Sequence, residues 1–165
     1  MAAYSFSRLE FVAKILDGSK PHTIRPERKR ETKPGELLTL YYKQRTPEHR
    51  VICLTVCKAV RPVTIYPVYE LINVEGHMLP HGKATRLAKR DGFNSAADMF
   101  AWFRMYKERT LFFELIEWDP KRLLNLWDVQ FFQDALKGMS AEERLAWLDA
   151  SCEIGQALEV CDGCN

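Results

Sequence analysis

The longest β-branched run in the chain, Val51 to Val60, places the strongest limit on its fold. The run reads Val-Ile-Cys-Leu-Thr-Val-Cys-Lys-Ala-Val and is apolar at both odd and even positions for most of its length. Successive side chains of a strand point to opposite faces, so a strand of this kind must be covered on both sides. The sequence therefore predicts a sheet with this segment as its central strand.

Other elements are predicted by apolar spacing around that strand. Leu9, Val12, Ala13 and Leu16 recur at helical intervals, and the Ser7 to Glu10 segment has the pattern of a capping box, so we expect a helix over 8–17 that ends at Gly18. Further strands are predicted at Leu37 to Tyr42, Tyr69 to Val74, His77 to Leu79 and Leu111 to Trp118. A Glu75-Gly76 turn is predicted between the two short strands, and Pro62 and Pro67 are expected to interrupt the strand pattern. Further helices are predicted at Lys83 to Arg90 and after a cap at Asn94 or Ser95. The second of these carries a stripe of Met99, Trp102, Phe103 and Tyr106, which we expect to be core rather than a base-stacking platform.

The character of the chain changes after Pro120, where two apolar helices follow. One carries Leu124, Trp127, Phe131 and Ala135, and the other is capped by the Ser140 to Glu143 segment. We therefore divide the chain into a domain at 1–119 and a helical extension at 120–165 that packs on it. Alternatively, Trp127, Phe131 and Phe132 form a face that binds a protein partner.

Composition describes an ordinary globular protein with an uneven charge distribution. Apolar residues make up 47% and charged residues 28% of the chain, no apolar run reaches the roughly 20 residues of a membrane helix, and the start lacks a signal-peptide pattern. These features predict a cytoplasmic protein without membrane contact. Residues 1–107 hold 19 basic and 10 acidic residues, whereas residues 108–165 hold 5 and 12. The basic part either binds a polyanion or is simply solvated.

The five cysteines predict reduced thiols rather than a disulfide framework. Cys161 and Cys164 have CxxC spacing, but only Cys152 is near them in sequence, and a structural zinc site normally has four ligands. We expect neither a metal nor a cofactor.

The junction between the first helix and the next strand, Gly18 to Arg25, is the candidate site. Pro21 favours an extended conformation at Lys20, and a strand from His22 would direct Thr23 and Arg25 to one face. A threonine hydroxyl near a desolvated lysine can act as a nucleophile with a base, and an arginine can hold a phosphate or carbonyl oxygen. The alternative is a solvated lysine, an ordinary strand threonine and a surface ion pair.

Basic residues cluster in three places in the first two thirds of the chain. They are Arg25, Arg28, Lys29, Arg30 and Lys33, then Lys43, Arg45 and Arg50, then Lys83, Arg86, Lys89 and Arg90. Together with Tyr41, which can stack on an unpaired base, they suit contacts with the phosphate groups of a polyanion. We predict ligand contacts at Arg25, Arg28, Lys29, Arg30, Tyr41 and Arg45. The alternative is a solvated basic face, with at least one of Tyr41 and Tyr42 in the core.

Several short motifs follow one another in a defined order: the helix ending in Gly18-Ser-Lys20, then Thr23-Ile-Arg25, Lys33-Pro-Gly-Glu36 before a strand, Asp91-Gly-Phe93 before a helix, and the strand Leu111 to Trp118. This order resembles that of the ASCH family of PUA-like, RNA-associated domains. The resemblance covers about 5–119. It implies an α+β fold: a PUA-like mixed β-barrel flanked by helices, here with a C-terminal helical extension.

The resemblance also implies a function. ASCH domains are associated with RNA, so we expect a protein that binds RNA, a nucleoside or a nucleotide. Some small members hydrolyse N4-acetylcytidine with a lysine, a threonine three residues later and a downstream acid. Those positions correspond here to Lys20, Thr23 and Asp91, although the acid is one methylene shorter and Pro21 and His22 depart from the usual residues.

Some other relatives cleave single-stranded RNA. Metal-free cleavage needs a base for the 2′-hydroxyl and an acid for the leaving oxygen. Lys20 with His22, His49 or His81 is the residue set that would supply them. We expect this activity less than simple binding because Thr23 and His22 should face opposite ways.

Overall fold

The structure, a computed structural model, describes residues 1–123, 140, 142 and 143. Within 1–123 the chain forms seven strands and three helices. In chain order they are β1 (Ala2–Phe6), α1 (Leu9–Leu16), β2 (His22–Pro26), β3 (Leu37–Tyr42), β4 (Arg50–Tyr66), β5 (Leu71–Val74), β6 (His77–Met78), α2 (His81–Arg90), α3 (Ala96–Arg104) and β7 (Leu111–Trp118). No helix in this part of the chain is both long and apolar enough to span a membrane.

The strands form one curled, mixed sheet that makes a half-barrel. One path runs β1-β3-β4-β5-β6, and β7 joins β4 to β2. The pairing of β1 with β3 is parallel, and the other pairings are antiparallel. The three helices and this sheet confirm an α+β, barrel-like fold.

The predicted central strand is present and longer than expected, because β4 has 17 residues. Its first half pairs with β3 and its second half with β7, and the register shifts between Cys57 and Ala59. At this bulge the Gly35 N–H donates to the Cys57 carbonyl and the Cys57 N–H donates to the Glu36 carbonyl. One strand therefore belongs to both halves of the sheet.

The expected interruption at Pro62 is wrong, since this residue lies inside β4. Its carbonyl accepts a hydrogen bond from the Glu75 N–H, and pairing with β5 begins only at Val63. Proline is tolerated in a strand where no ladder N–H is needed. The Glu75-Gly76 turn between β5 and β6 is confirmed, with φ values of 52° and 82°.

Strand β1 is an element that the sequence analysis missed. Ala2, Tyr4 and Phe6 are buried and alternate with half-buried Ala3 and Ser5, which is the period-2 pattern of an edge strand. The Tyr4 hydroxyl also contacts the buried Thr32 hydroxyl at 2.6 Å. The strand supplies one wall of the candidate site.

The helix ends show which capping predictions hold. The capping box at Ser7 is wrong, because Arg8 is the N-cap of α1 and no side chain caps it. Ser95 caps α3 by accepting a hydrogen bond from the Asp98 N–H, as predicted. The reciprocal capping box of Ser140 and Glu143 is also confirmed, with bonds of 2.6 and 3.2 Å.

The chain beyond β7 returns across the sheet before the described stretch ends. The Thr55 hydroxyl donates to the Arg122 carbonyl at 3.2 Å, and Leu123 packs against the core. The predicted extension, with its aromatic residues and the CxxC pair, lies outside the described residues apart from its first few positions and the cap. Cys53 and Cys57 are buried free thiols, and burial raises the pKa of each to about 12.

Candidate functional site

The turn between α1 and β2 aims Lys20 into the protein. Gly18 has φ of +79°, which allows the chain to leave the helix, and the Lys20 N–H then donates to the Lys14 carbonyl at 2.7 Å. The Pro21 carbonyl accepts from the Trp118 N–H at 3.0 Å, which fixes the chain to β7. Lys20 is consequently only 1% exposed.

A cleft of about 80 Å³ lies at this junction between β1, α1, β2 and α3. Its polar lining includes the predicted Lys20, Thr23, Arg25 and Asp91, and the remaining lining is Ser5, Phe6, Ser7, Phe11, Ile24, Phe93, Trp102, Phe103 and Tyr106. Pockets that enclose a whole small molecule typically measure about 300–1,000 Å³. This cleft therefore suits the polar end of a ligand rather than the entire ligand.

Lys20 and Asp91 form a buried ion pair at the cleft. The Lys20 Nζ lies 2.8 Å from Asp91 Oδ1 and also donates to the Asp91 backbone carbonyl. The ammonium group lies 5.0 Å from the ring centre of Phe11 and 5.6 Å from that of Phe6. The pair is thus held by charge, hydrogen bonds and aromatic faces together.

Burial opposes the charged form of both partners. Desolvation lowers the pKa of Lys20 even though Asp91 acts to raise it, and desolvation raises the pKa of Asp91 even though Lys20, Arg25 and the Ile24 N–H act to lower it. Both shifts therefore bring the pair closer to the neutral forms. Titratable groups perturbed in this way and located in a cleft are candidates for a functional site.

Asp91 has two roles that the sequence left as alternatives. It is the C-cap of α2, with its N–H bonded to the Leu87 carbonyl, and it is also the partner of Lys20. The next residue, Gly92, has φ of +99°, and a Cβ there would lie 2.7 Å from Cδ1 of Phe11 and 3.2 Å from Cδ of Lys20. Only glycine permits α2 to end this close to Lys20.

Thr23 lines the cleft but is not hydrogen-bonded to Lys20. The residue is buried, and its hydroxyl has no hydrogen-bond partner within residues 1–123. The protons of the Lys20 ammonium are directed at Asp91 instead. The structure brings the three predicted catalytic residues to one cleft and leaves the hydroxyl available to a ligand or a water.

His22 and Ile24 alternate with Thr23 and Arg25, as predicted for a strand, and His22 lines a different groove. The His22 ring is buried, with Nε2 3.9 Å from Asp91 Oδ1 and with no hydrogen-bond partner for either ring nitrogen in the described part of the chain. Burial, together with the charges of Lys20 and Arg90, lowers its pKa to about 3, and the nearby Leu87 carbonyl opposes this only weakly. His22 is therefore neutral at physiological pH.

Three of the predicted ligand residues hold β2 and the following loop against β1. Arg25 donates to the Ser5 carbonyl at 2.6 Å, Arg28 to the Ala3 carbonyl at 3.0 Å and Arg30 to the Met1 carbonyl at 3.3 Å. The guanidinium groups of Arg25 and Arg28 also lie over the Phe6 and Tyr4 rings. We call these three residues the arginine seam, since β1 and β2 share no ladder.

The other predicted ligand residues lie away from the cleft. Lys29 and Arg45 are exposed, and Tyr41 is half-buried in β3 opposite Val51. Only Arg25 of the six lines the cleft. The prediction grouped these residues with Arg25 because they are near it in sequence, but the fold places them at a distance from the cleft.

Two aromatic residues at the cleft belong to the stripe that was expected to be core rather than a base-stacking platform. Tyr106 is 45% exposed and Trp102 is half-buried, whereas Met99 and Phe103 of the same stripe are buried as predicted. The amphipathic chemistry of tryptophan and tyrosine was the signal that separates them from the other two. They form the aromatic side of the cleft.

The described residues contain no group of three or more His, Cys, Asp or Glu side chains arranged to hold a metal ion. Compared with known proteins, the chain matched no family model, no curated protein and no solved structure.

Proposed function

We propose that this chain is an ASCH-type protein with a PUA-like half-barrel, and that its cleft binds RNA or a nucleotide. The observation that carries the proposal is the buried Lys20–Asp91 pair beside the unbonded Thr23 hydroxyl. Burying a charged pair costs desolvation energy, and apolar side chains of similar size at these positions would allow the chain to fold without that cost. A ligand that uses these groups explains why the cleft contains them.

A nucleobase suits the shape and chemistry of the cleft. Its polar edge is small enough to enter the space of about 80 Å³ and to hydrogen-bond with Thr23. Its flat face can stack on Trp102 or Tyr106 at the open side. The sugar and phosphate then remain outside the cleft.

Calorimetry with cytidine and with single-stranded RNA tests this binding. We expect Thr23→Val to weaken binding by about 0.5–1.5 kcal/mol through one lost hydrogen bond. The matched control is Thr64→Val, a half-buried threonine of β4 outside the cleft. No binding by the wild type at low salt, or equal losses in both variants, would show that the cleft does not bind these ligands.

The second candidate is hydrolysis of an acylated pyrimidine nucleoside such as N4-acetylcytidine. The specific observation in its favour is the lowered pKa of Lys20, which increases the fraction of neutral amine that can accept a proton. Because Lys20 does not reach the Thr23 hydroxyl directly, a water between them would relay the proton. If this water attacks the acyl carbon, the C–N bond breaks, the nucleoside amine takes a proton and acetate is released. If Thr23 attacks, the same bond breaks and leaves an acyl ester on Thr23, which a second water then hydrolyses to acetate.

Release of acetate from N4-acetylcytidine measures this activity, and Lys20→Met should abolish it. If Thr23→Val retains turnover, water is the nucleophile; if it does not, the hydroxyl attacks or positions the water. An inactive wild type would exclude this substrate, and binding alone would remain.

The other two hypotheses receive less support. A ribonuclease using Lys20 with a histidine is disfavoured because His49 and His81 are exposed outside the cleft, and His22 lines a different groove from Thr23. The face proposed for a protein partner, with Trp127 and Phe131, lies outside the described residues.

A further inference from the structure

A second concave surface, which we call the α2 groove, lies next to the buried side of His22. It has a volume of about 320 Å³ and is separate from the cleft. Its lining residues are His22, Arg61, Val74, Leu79, Lys83, Arg86, Leu87, Arg90, Leu115 and Glu117. Four of these carry a positive charge and one a negative charge.

The positive charge of the groove is concentrated on one side of α2. Lys83, Arg86 and Arg90 are spaced by three and four residues, so their side chains follow one face of the helix over about 10 Å. All three are exposed, and none forms an ion pair within residues 1–123. Three unpaired cations side by side repel one another and remain available to an anion.

The opposite side of the groove is already neutralised. Arg61 lies 3.0 Å from Glu117 and 3.9 Å from Glu75. The single acidic residue of the lining is therefore occupied by Arg61 and does not compensate the cations of α2. The groove as a whole keeps an excess of positive charge.

His22 is the observation that separates this groove from an ordinary solvated helix face. Its ring is 1% exposed and lines the groove, and neither Nδ1 nor Nε2 has a hydrogen-bond partner among the described residues. A buried imidazole without a partner costs free energy that one hydrogen bond would recover. A neutral imidazole carries one N–H, so a ligand oxygen can accept that bond once a small shift of the side chains that line the groove brings it to the ring.

We propose that the α2 groove binds the phosphate groups of a single-stranded nucleic acid, through Lys83, Arg86 and Arg90, with His22 beneath them. The length of the cationic row favours a chain of phosphates over a single phosphate ion, because three cations over about 10 Å exceed the size of one such group. The site is separate from the cleft because His22 and Thr23 are adjacent residues of β2 that line different cavities. Substitutions in the groove therefore leave the residues that line the cleft unchanged.

The test measures the affinity of the full-length chain for a labelled single-stranded RNA of about 12 nucleotides at several salt concentrations. The variant Lys83→Gln/Arg86→Gln removes two charges from exposed positions and should leave the fold intact. The matched control, Lys58→Gln/Arg109→Gln, removes one lysine and one arginine charge from exposed positions outside the groove.

We expect the groove variant to bind about tenfold more weakly near 50 mM salt and the control to change less than about twofold. Each lost phosphate contact on a single strand lowers the salt slope by about 0.7, so the groove variant should show a slope lower by about 1.4. Equal losses in the two variants would show a diffuse charge effect and overturn the proposal, as would no RNA binding by the wild type.

Two further measurements address the ligand and the position. Tripolyphosphate should compete only weakly with the RNA, and competition as strong as that of unlabelled RNA would overturn a nucleic-acid ligand in favour of a small polyphosphate. In NMR spectra, RNA should shift the ring signals of His22 and leave those of the exposed His49 in place. Unchanged His22 signals would overturn the placement of the RNA in this groove.

Discussion

Replacing Lys20 by methionine tests the central feature of the site, its buried ion pair. Methionine has nearly the volume of lysine and packs well against the Phe6 and Phe11 rings, so the substitution creates little cavity. What it removes is the charge that faces Asp91, which is only 5% exposed. The expected loss of stability is therefore electrostatic.

The structure allows the size of this loss to be stated. Removing one member of a buried pair leaves the other charge without compensation, which typically costs about 3–5 kcal/mol. Asp91 keeps the Ile24 N–H and the charge of Arg25, so we expect a value near the lower end, about 3 kcal/mol at pH 8. A domain of this size has about 5–15 kcal/mol in total, so the variant should fold and its unfolding should be measurable.

The loss should also depend on pH, with a defined sign. Without Lys20, the pKa of Asp91 in the folded state rises further above its unfolded value of about 4, because the attraction that opposed desolvation is gone. The folded state then holds the proton more tightly than the unfolded state. Stability is retained below pH 4 and is lost as the pH rises through the folded pKa, so Lys20→Met should cost less at pH 5 than at pH 8.

Urea unfolding of the wild type, Lys20→Met and Lys20→Met/Asp91→Asn at the two pH values measures this. The double variant keeps a neutral side chain at position 91 and should recover most of the stability at pH 8. A loss below about 1 kcal/mol at pH 8, or no recovery in the double variant, would refute the view that Asp91 is buried and dependent on Lys20.

Two further predictions concern stability. Gly92→Ala should lower the free energy of unfolding by about 2–4 kcal/mol, because Gly92 has φ of +99° and a Cβ there would clash with Phe11. Gly76→Ala should lower it by only about 1 kcal/mol, because Gly76 has φ of +82° but no atom lies within 4 Å of the added Cβ. Equal losses in urea unfolding would contradict the packing argument. His22 has a pKa of about 3 in the folded state and about 6.5 in the unfolded state, so between these values the unfolded state binds the proton more readily. As the pH falls through this range, the free energy of unfolding of the wild type should therefore fall by about 1.4 kcal/mol per pH unit relative to that of His22→Gln. Parallel stability curves for the wild type and His22→Gln would rule this out.

Sequence reasoning succeeded where local chemistry determines local structure. The helix ending at Gly18, the strand beginning at His22 and the cap at Ser95 each depend on a few neighbouring residues, and each is confirmed. The alternation of Thr23 and His22 also followed from strand geometry alone. These features needed no knowledge of distant contacts.

The failures share a dependence on distant parts of the chain. Arg28 and Arg30 bond to carbonyls of β1, a strand more than 20 residues earlier, and the sequence analysis did not predict this structural role. Pro62 was expected to interrupt a strand, but the pairing of β5 begins just after it. No local sequence pattern predicts that β1 pairs with these arginines or that β5 pairs with β4, because both pairings depend on which distant segments the fold brings together.

The arginine seam has a consequence for the exposed edge of the sheet. The outward edge of β1 presents carbonyls at Met1, Ala3 and Ser5, and an uncovered edge of this kind recruits foreign strands. Here guanidinium groups from one short segment, Arg25 to Arg30, occupy those acceptors. A cut or deletion in that segment would uncover the edge and favour edge-to-edge association, even though the core would be untouched.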